Sequence, residues 1–548
     1  MACLSPDEAS SLLLSKVHNE EPKQKLSQTA KIVKLCGYVP LALCIVGPLL
    51  SDYTEDRLIK SLEKEPLDVL QDDELSLEKA IKTSFDHLNE AEQEALAVMS
   101  VFPGSFDSDA AEAVITAGVD TGAQPVVRTL RSLKNRSLLE QPSSCRYEVH
   151  RLIQAFAKKV TQDRYSGKLV QAEEMACVHF ISRLADNANM YWSKDKCKDS
   201  VEAFNVDRHN FEYFLNFYVH AMEKRDVEFL QSSTSGFLNN FPQKCMYLEM
   251  CLLPSFYIMI LEKLLNHFDA ASQPVRTVDL LYLLGHEKRK VGNQAQYKDL
   301  MEQAKLVYYK SYSEFKTNGL SRVFFFNSYA RFLSGKKLPG KRELTYTVYK
   351  IALDLCRKNL NEHPETAATL LFMGRHQKSI VHLEEARSLF ELCLGEHFMT
   401  AQSHKAIADF HFVHRTDLAT DEDKSSEHYK AALTMMEKLG MGGHKESILT
   451  LKNYGLCHKE KGEYEEAINL LLKAKQVADI ELEDDHKWKV MIETQLAPLY
   501  HCVGRAQEAK EVMKKGIEMS ERLGLPISLL ANKFEIELFL NFYPDTLL

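Results

Sequence analysis

A small residue recurs through the C-terminal half of this chain at an interval close to 42. Ala386, Ser425, Ala467 and Ala509 stand 39, 42 and 42 residues apart, each within a stretch of helical apolar spacing. That interval is too short for a domain and too long for a helical turn. It dictates a stack of helix pairs, each too small to bury its own apolar face, that cover one another in sequence order. In "LKNYGLCHKEKGEYEEAINLLLKAKQVA", Gly455, Ala467 and Ala474 fall where two helices of a unit would cross, with Gly462 near the turn. "LAPLYHCVGRAQEAKEVMKKG" repeats the arrangement with Ala497, Tyr500, Gly504 and Ala509. "LLFMGRHQKSIVHLEEARSLFELC" supplies Gly374, Ala386 and Phe390, and "LLYLLGHEKRKVGNQAQYKDLMEQA" supplies Gly285, Gly292 and Ala304. Weaker copies centre on Thr345 and Tyr297, so residues 276–525 should hold about six repeats. "ISLLANKFEIELFLNF", within 526–548, reads as a capping helix over the last apolar face.

These units resemble tetratricopeptide repeats, whose usual period is ~34 residues. The longer interval is similar to the class found in kinesin light chains. The resemblance implies a concave face that binds protein ligands, and an all-α solenoid. The Lys and Asn pair that clamps a C-terminal carboxylate in chaperone-binding versions is not found.

The N-terminal part is helical in a different way. "LCGYVPLALCIVGPLL" (35–50) is the most apolar stretch, yet it falls short of the ~20 residues that a bilayer span needs. Pro40 suits the first turn of a buried helix, where its missing N–H has no partner to lose. Ser5 should cap another helix, with Pro6, Asp7 and Glu8 in its first turn. Residues 1–75 thus read as a bundle of short helices. From 76 to 165 the pattern is three helices, the first capped at Asn89, then two extended segments around a Pro-Ser-Ser turn, then "RLIQAFAKKV". That order is a winged-helix domain, a relative of the helix-turn-helix. Residues 166–275 read as an irregular helical connector. Overall the fold class is mainly all-α: helical bundle, winged helix, solenoid.

"GYVPLAL", "TSFDHL", "VFPGSFD" and "YEVHRLIQAFA" occur in the order of the back half of an NB-ARC module of the STAND NTPases. The resemblance covers about residues 1 to 165. It implies that Gly37 and Pro40 match the Gly-x-Pro packed on adenine and ribose, and that His150 matches the histidine reaching the β-phosphate. Val149 and Arg151 replace the family's usual Met and Asp. A phosphate cradle is missing: the nearest approach to a P-loop, "GKKLPGKR" (335–342), has Arg342 in place of the magnesium-binding Ser/Thr and no preceding buried strand. No Walker B run is present. Met1 falls about where the family's nucleotide-binding domain would end, so the expectation is a chain whose NTPase core is absent or lost from the gene model. No cofactor is expected, with ADP or ATP entering only if a separate P-loop domain is supplied.

Composition narrows the rest. A net charge of −9 gives no global case for nucleic acid or an anionic membrane. Twelve cysteines are scattered without a CxxC, so neither a zinc site nor a disulfide framework is indicated. No signal peptide is visible and the expected location is cytoplasmic. Neither GxSxG nor HExxH occurs, and catalysis finds no support. Between Arg128 and Lys168, however, ten Lys or Arg face three acids, with Arg128, Arg131 and Lys134 at three-residue steps on the third helix. The leading expectation is a non-catalytic scaffold or sensor of the NB-ARC–tetratricopeptide kind, binding protein ligands in signalling or regulation. The alternatives are a nucleic-acid-binding regulator acting through those three basic residues, and an ADP-binding fragment. Ligand, pathway and oligomeric state are left open.

Overall fold

The computed structural model describes residues 4–17, 28–36, 38–51, 53–63, 73–118, 125–164, 166–223, 237, 241–316, 319–335, 340–414, 418–482, 484–524 and 526. Helices dominate these residues, which are all-α apart from one short hairpin. No described helix is long and apolar enough to cross a membrane. Two compact units emerge. Among the described residues the first comprises those up to Leu184 together with Val206–Tyr218, and the second Ala185–Asn205 and those from Val219 onward.

The first unit opens with α1 (Pro6–Ser15), α2 (Thr29–Leu35), α3 (Pro40–Leu49), α4 (Glu55–Glu63) and α5 (Asp73–Asp86). Ser5 and Glu8 cap α1 reciprocally, satisfying two of its orphan amide donors. The apolar stretch becomes α3, a buried helix packed on α1 and α5. Its Gly47 lies where α1 ends: a Cβ there would stand 2.5 Å from the Lys16 Cβ, so any side chain would force the helices apart.

Next come α6 (Glu90–Met99), α7 (Ser108–Gly118) and α8 (Val126–Asn135), which pack on one another, then the antiparallel strands β1 (Glu140–Ser143) and β2 (Arg146–Glu148), and α9 (Arg151–Arg164). Asn89 caps α6 in a box with Glu92. The hairpin turns at Ser144–Cys145 rather than through Pro-Ser-Ser, because Pro142 lies within β1. Tyr147 bridges back to Phe106 as a further extended pairing. Val149 is buried and Leu152 only half-buried, because Ile153 takes the inward position one residue on.

The described residues of 166–275 are more regular than expected. They form α10 (Ser166–Tyr191) and α11 (Cys197–Glu223), of 26 and 27 residues, then α12 (Phe241–Cys251) and α13 (Pro254–His267). Their Phe and Tyr side chains account for this: Phe180 stacks on Phe214 at 5.3 Å in the first unit, and Tyr191 meets Tyr247 at 5.3 Å in the second. The part of this stretch up to Leu184, with Val206–Tyr218, belongs to the first unit, so 166–275 is not a single connector.

Six helix pairs follow: α14 (Pro274–Lys290) with α15 (Gln294–Lys310); after the short α16 (Tyr312–Phe315), α17 (Gly319–Gly335) with α18 (Lys341–Asn359); α19 (Pro364–Gln377) with α20 (Ile380–Leu394); α21 (Phe398–Val413) with α22 (Leu418–Lys438); α23 (Ser447–Glu460) with α24 (Tyr464–Glu481); and α25 (Lys487–Cys502) with α26 (Ala506–Arg522). Connections as short as two residues (Lys378 and Ser379 between α19 and α20) join helices packed along their length and force an antiparallel course. Tyr297, Thr345, Ala386, Ser425, Ala467 and Ala509 lie one on each second helix, all buried. The closeness of the crossing shows at Gly455, where a Cβ would stand 3.2 Å from the Ala467 carbonyl oxygen. The segment 526–548 expected to cap the array lies, apart from Pro526, outside the described residues.

Within the second unit the array also touches its own beginning. The Lys445 ammonium donates to the carbonyls of Glu249 (2.6 Å) and Leu252 (2.9 Å), and His444 Nε2 donates to that of Met250 at 2.6 Å. Asp195 likewise accepts the Glu396 amide at 2.8 Å. These contacts join residues about two hundred positions apart, and they wall a space between α12 and the first helices of the repeats.

Candidate functional site

That space is a cavity of about 390 Å3, within the range of pockets that hold a small ligand or a short piece of chain. It is built from the first helices of successive repeats. Tyr282, His286 and Glu287 come from α14, Phe324, Asn327 and Arg331 from α17, and Glu365, Phe372 and Arg375 from α19. Gln402 and Lys405 of α21 and Trp488 of α25 continue the wall. First helices share one side of a stacked array, so residues one repeat apart converge there. Glu287, Arg331 and Arg375, 44 residues apart in sequence, are such a set.

The ionisable groups of the cavity divide into two kinds. Lys290 bonds both Glu249 and Glu287, the latter at 2.9 Å. Burial would raise Glu249, but Lys290, Lys445 and Arg331 outweigh it and hold the carboxyl below its ordinary range; burial and then Glu249 itself push Glu287 up. Lys405 is paired with Asp409 at 2.7 Å. Arg331 and Arg375 differ, for among the described residues no carboxylate lies within 4.0 Å of either. The Arg331 guanidinium lies over the Phe372 ring, 4.8 Å from its centroid, and Arg375 donates to the Gln402 carbonyl at 3.3 Å. Burial draws both arginines below their ordinary range.

Three polar side chains are more conspicuous for what they lack. Glu365, 3% exposed, has its carboxyl pushed up to about 8 by burial, so near neutral pH it keeps its proton for a large part of the time. Both ring nitrogens of His286, 9% exposed, are without a partner. Asn327, 3% exposed, donates from Nδ2 to Thr369 Oγ1 at 2.9 Å while its Oδ1 is unpaired. The Thr369 hydroxyl donates onward to the Glu365 carbonyl at 2.8 Å, so it must accept from Asn327, which leaves the amide oxygen unmatched. Buried polar groups are normally paired, and each exception needs a reason.

The residues singled out from sequence lie elsewhere. Gly37 is outside the described residues. Pro40 opens α3 at its first turn, and Tyr38 and Val39 separate it from Gly37. His150 precedes α9, and its Nδ1 accepts the Leu152 amide at 3.3 Å. The same local bond recurs at His363, His397 and His486, each capping the first helix of a repeat. A helix-capping role therefore accounts for His150 without a nucleotide. Arg128, Arg131 and Lys134 are exposed on α8, opposite the buried Leu130 and Leu133, and Lys134 bonds Gln141 at 2.6 Å. Of the other basic residues in that run, Arg146 and Lys168 are engaged with Asp207 and Glu94. In the P-loop-like stretch, residues 336–339 are outside the described residues and Lys341 simply begins α18. No group of three or more His, Cys, Asp or Glu among the described residues is placed to hold a metal.

The cleft residues were not foreseen. Charged positions on amphipathic helices read as solvated faces, and only their recurrence at the repeat interval distinguishes them. The recurring histidine before "PETA", "FMTA" and "KWKV" was a second unused signal.

A tetratricopeptide-repeat family model matches residues 446–522, which hold α23 to α26. Two curated relatives are the regulatory protein AfsR of Streptomyces coelicolor, 29% identical over 188 residues, and AfsR of Streptomyces griseus, 27% identical over 160. The alignments take in 33% and 28% of this chain but 18% and 16% of those proteins, so the chain spans under a fifth of either relative's length. Among solved structures, a STAND protein with a tetratricopeptide repeat sensor from Pyrococcus horikoshii aligns over 98% of this chain and 75% of its own, at 14% identity and a TM-score of 0.43. A Rap protein complexed with Competence and Sporulation Factor aligns over 67% of this chain and 98% of its own, at 14% identity and a TM-score of 0.40.

Proposed function

We propose that this chain is a non-catalytic regulatory module whose repeat cleft takes up a segment of another polypeptide, in a protein of the NB-ARC–tetratricopeptide kind. The observation that carries this reading is the cavity itself, where aromatic side chains from consecutive repeats surround buried polar atoms with no partner. Such atoms are costly in an empty pocket and become favourable once a ligand supplies their bonds. A peptide has the matching inventory of alternating amides, carbonyls and apolar side chains. The tetratricopeptide match at 446–522 and the partial likeness to two regulatory proteins support it.

The test is site-specific photocrosslinking of the full chain in cells. A benzoylphenylalanine at Gln402, in the cleft, should crosslink one discrete polypeptide. The same probe at Val381, 70% exposed on α20, should not. Equal labelling at both positions would sink the reading.

A second reading has one observation in its favour, the exposed basic row of Arg128, Arg131 and Lys134 beside the hairpin, in a helix order that matches a winged helix. Nucleic-acid binding there would show as a gel shift with a salt slope that weakens on changing those three residues to Gln. Nucleotide binding through Gly37, Pro40 and His150 is expected to be undetectable in titration calorimetry with ADP or ATP. One adenine contact and one hydrogen bond of ~0.5–1.5 kcal/mol fall far short of the ~8 kcal/mol of a micromolar complex.

A further inference from the structure

Resting on the reading of the cleft as a peptide site, we propose that its specificity is for an acidic side chain, an Asp or Glu within an otherwise apolar peptide segment, held between Arg331 and Arg375. The two guanidiniums are neighbours by construction. Arg331 lies over the ring of Phe372 at 4.8 Å, and Phe372 and Arg375 are three residues apart on one face of α19. Every other base facing this part of the cavity is already matched, Lys290 by Glu249 and Glu287 and Lys405 by Asp409. The two guanidiniums face the cavity with no carboxylate within 4.0 Å among the described residues, Glu249 and Asp409 acting on them only from farther away, and Arg375 keeps an exposed edge through which a ligand can reach it. A planar carboxylate suits the fork geometry of two guanidiniums.

The rest of the wall says what carries that carboxylate. Glu249, Glu287, Glu365 and Glu446 line the same cavity, which tells against a polyphosphate or a nucleic acid and favours a single negative charge. Asn327 Oδ1 and the His286 ring, both buried and without partners, can bond the amides and carbonyls of a backbone. Apolar surface lies on both sides of the arginines in repeat order: Tyr282 on the repeat before and Phe324 earlier on Arg331's own helix, Phe398, Met399 and Trp488 on the repeats after. A ligand with apolar groups on either side of its charge runs past the arginines. It does not end at them, so the carboxylate is a side chain and not a chain terminus.

The experiment uses the immobilised full chain and three hexapeptide libraries. The third position is Glu in the first library and Gln in the second, both acetylated and amidated. The third library carries Gln there and a free C-terminal carboxylate. The other five positions are drawn from Ala, Leu, Phe and Tyr. Captured peptides are read by mass spectrometry, and the best sequence is titrated by calorimetry with its twins. The Glu peptide should bind at least tenfold tighter than its Gln twin. Arg331→Gln combined with Arg375→Gln should bring the two within twofold while leaving the Gln twin's affinity unchanged; Arg375→Gln alone should give an intermediate loss, which covers the case of a double variant that folds poorly. Equal binding of Glu and Gln peptides would overturn the arginine anchor and leave the peptide reading standing. Preference for the third library, or a Glu preference that survives the double variant, would also overturn it. Capture from none of the libraries would overturn it too, and the crosslinking at Gln402 would then decide the wider reading.

Discussion

Two pairs of arginines in this protein are treated in opposite ways. In the first unit Arg146 bonds Asp207 at 2.6 Å, and Arg183 spans Asp107 at 2.8 Å and Asp207 at 2.9 Å. Arg146 also reaches the Ser105 carbonyl and hydroxyl, and so joins β2 to the segment before α7 and to α11. In the second unit Arg331 and Arg375 face a cavity, and among the described residues no carboxylate comes within 4.0 Å of either. Charge matched in place holds a structure together; charge left unmatched beside a cavity destabilises the empty protein and is explained by what enters. The contrast separates a region built for rigidity from one built for binding.

The largest effect should come from breaking the matched set. Asp207→Ala strips Arg146 of its carboxylate and Arg183 of one of two, at a cost typical of a broken buried pair, ~3–5 kcal/mol. The chain has two tryptophans, Trp192 and Trp488, and both belong to the second unit. Urea unfolding of Asp207→Ala followed by far-UV circular dichroism should therefore gain an early transition while the tryptophan fluorescence midpoint stays put. A common shift of both signals would mean that the units do not unfold separately.

The next test sits on the unmatched side. The Glu365 carboxyl is raised to about 8 from its ordinary 4.5 by burial. The folded state then holds a proton that the unfolded state has released, so stability falls as pH rises between those values, by at most ~1.4 kcal/mol per pH unit for one proton. Glu365→Gln should remove that share, and the difference between variant and parent should grow from pH 5 to pH 8. His397 and His486, drawn down by burial to about 3 and about 4, act in the opposite direction. Their contribution is present above pH 6.5 and lost as the pH falls, and it cancels in the comparison. A pH-independent difference would place Glu365 in contact with water.

How far the sequence could be read follows the same division. Ala386, Ala467 and Ala509 were legible because a helix crossing admits only small residues, and that demand repeats with the unit. The cap at Ser5 and the box at Asn89 were legible because each is settled within four residues. Arg331, Arg375 and Asn327 were not, because a charged or amide residue on a helix looks the same whether it faces water or a cavity. Which it faces depends on α12 and on Lys445, almost two hundred residues away from each other. His150 was legible as a residue worth naming, yet its bond to the Leu152 amide is local.

A third variant tests whether the cleft has the scaffold described. Ala467 is fully buried, and its carbonyl would lie 3.2 Å from a Cβ on Gly455. Ala467→Phe should overpack the crossing of α23 and α24 at a cost of ~1–3 kcal/mol. Here the tryptophan transition should move, the reverse of Asp207→Ala, since Trp488 packs against the same apolar cluster.

The smallest expected effect is also the one that separates the two regions by sign. Replacing Arg331 with Met keeps a long, flexible side chain over the Phe372 ring and removes a guanidinium that burial already disfavours. Nothing within ion-pair range loses a partner, so no desolvated carboxylate is left behind. Glu249 loses a distant favourable charge but keeps Lys290. The balance should be a gain of ~0.5–2 kcal/mol, the usual yield of relaxing a site held ready for a ligand. The tryptophan-detected midpoint in urea should rise, and binding of an acidic peptide should weaken in the same preparation. A fall in stability comparable to that of Asp207→Ala would show that Arg331 is matched after all, and would erase the distinction between the two arginine pairs.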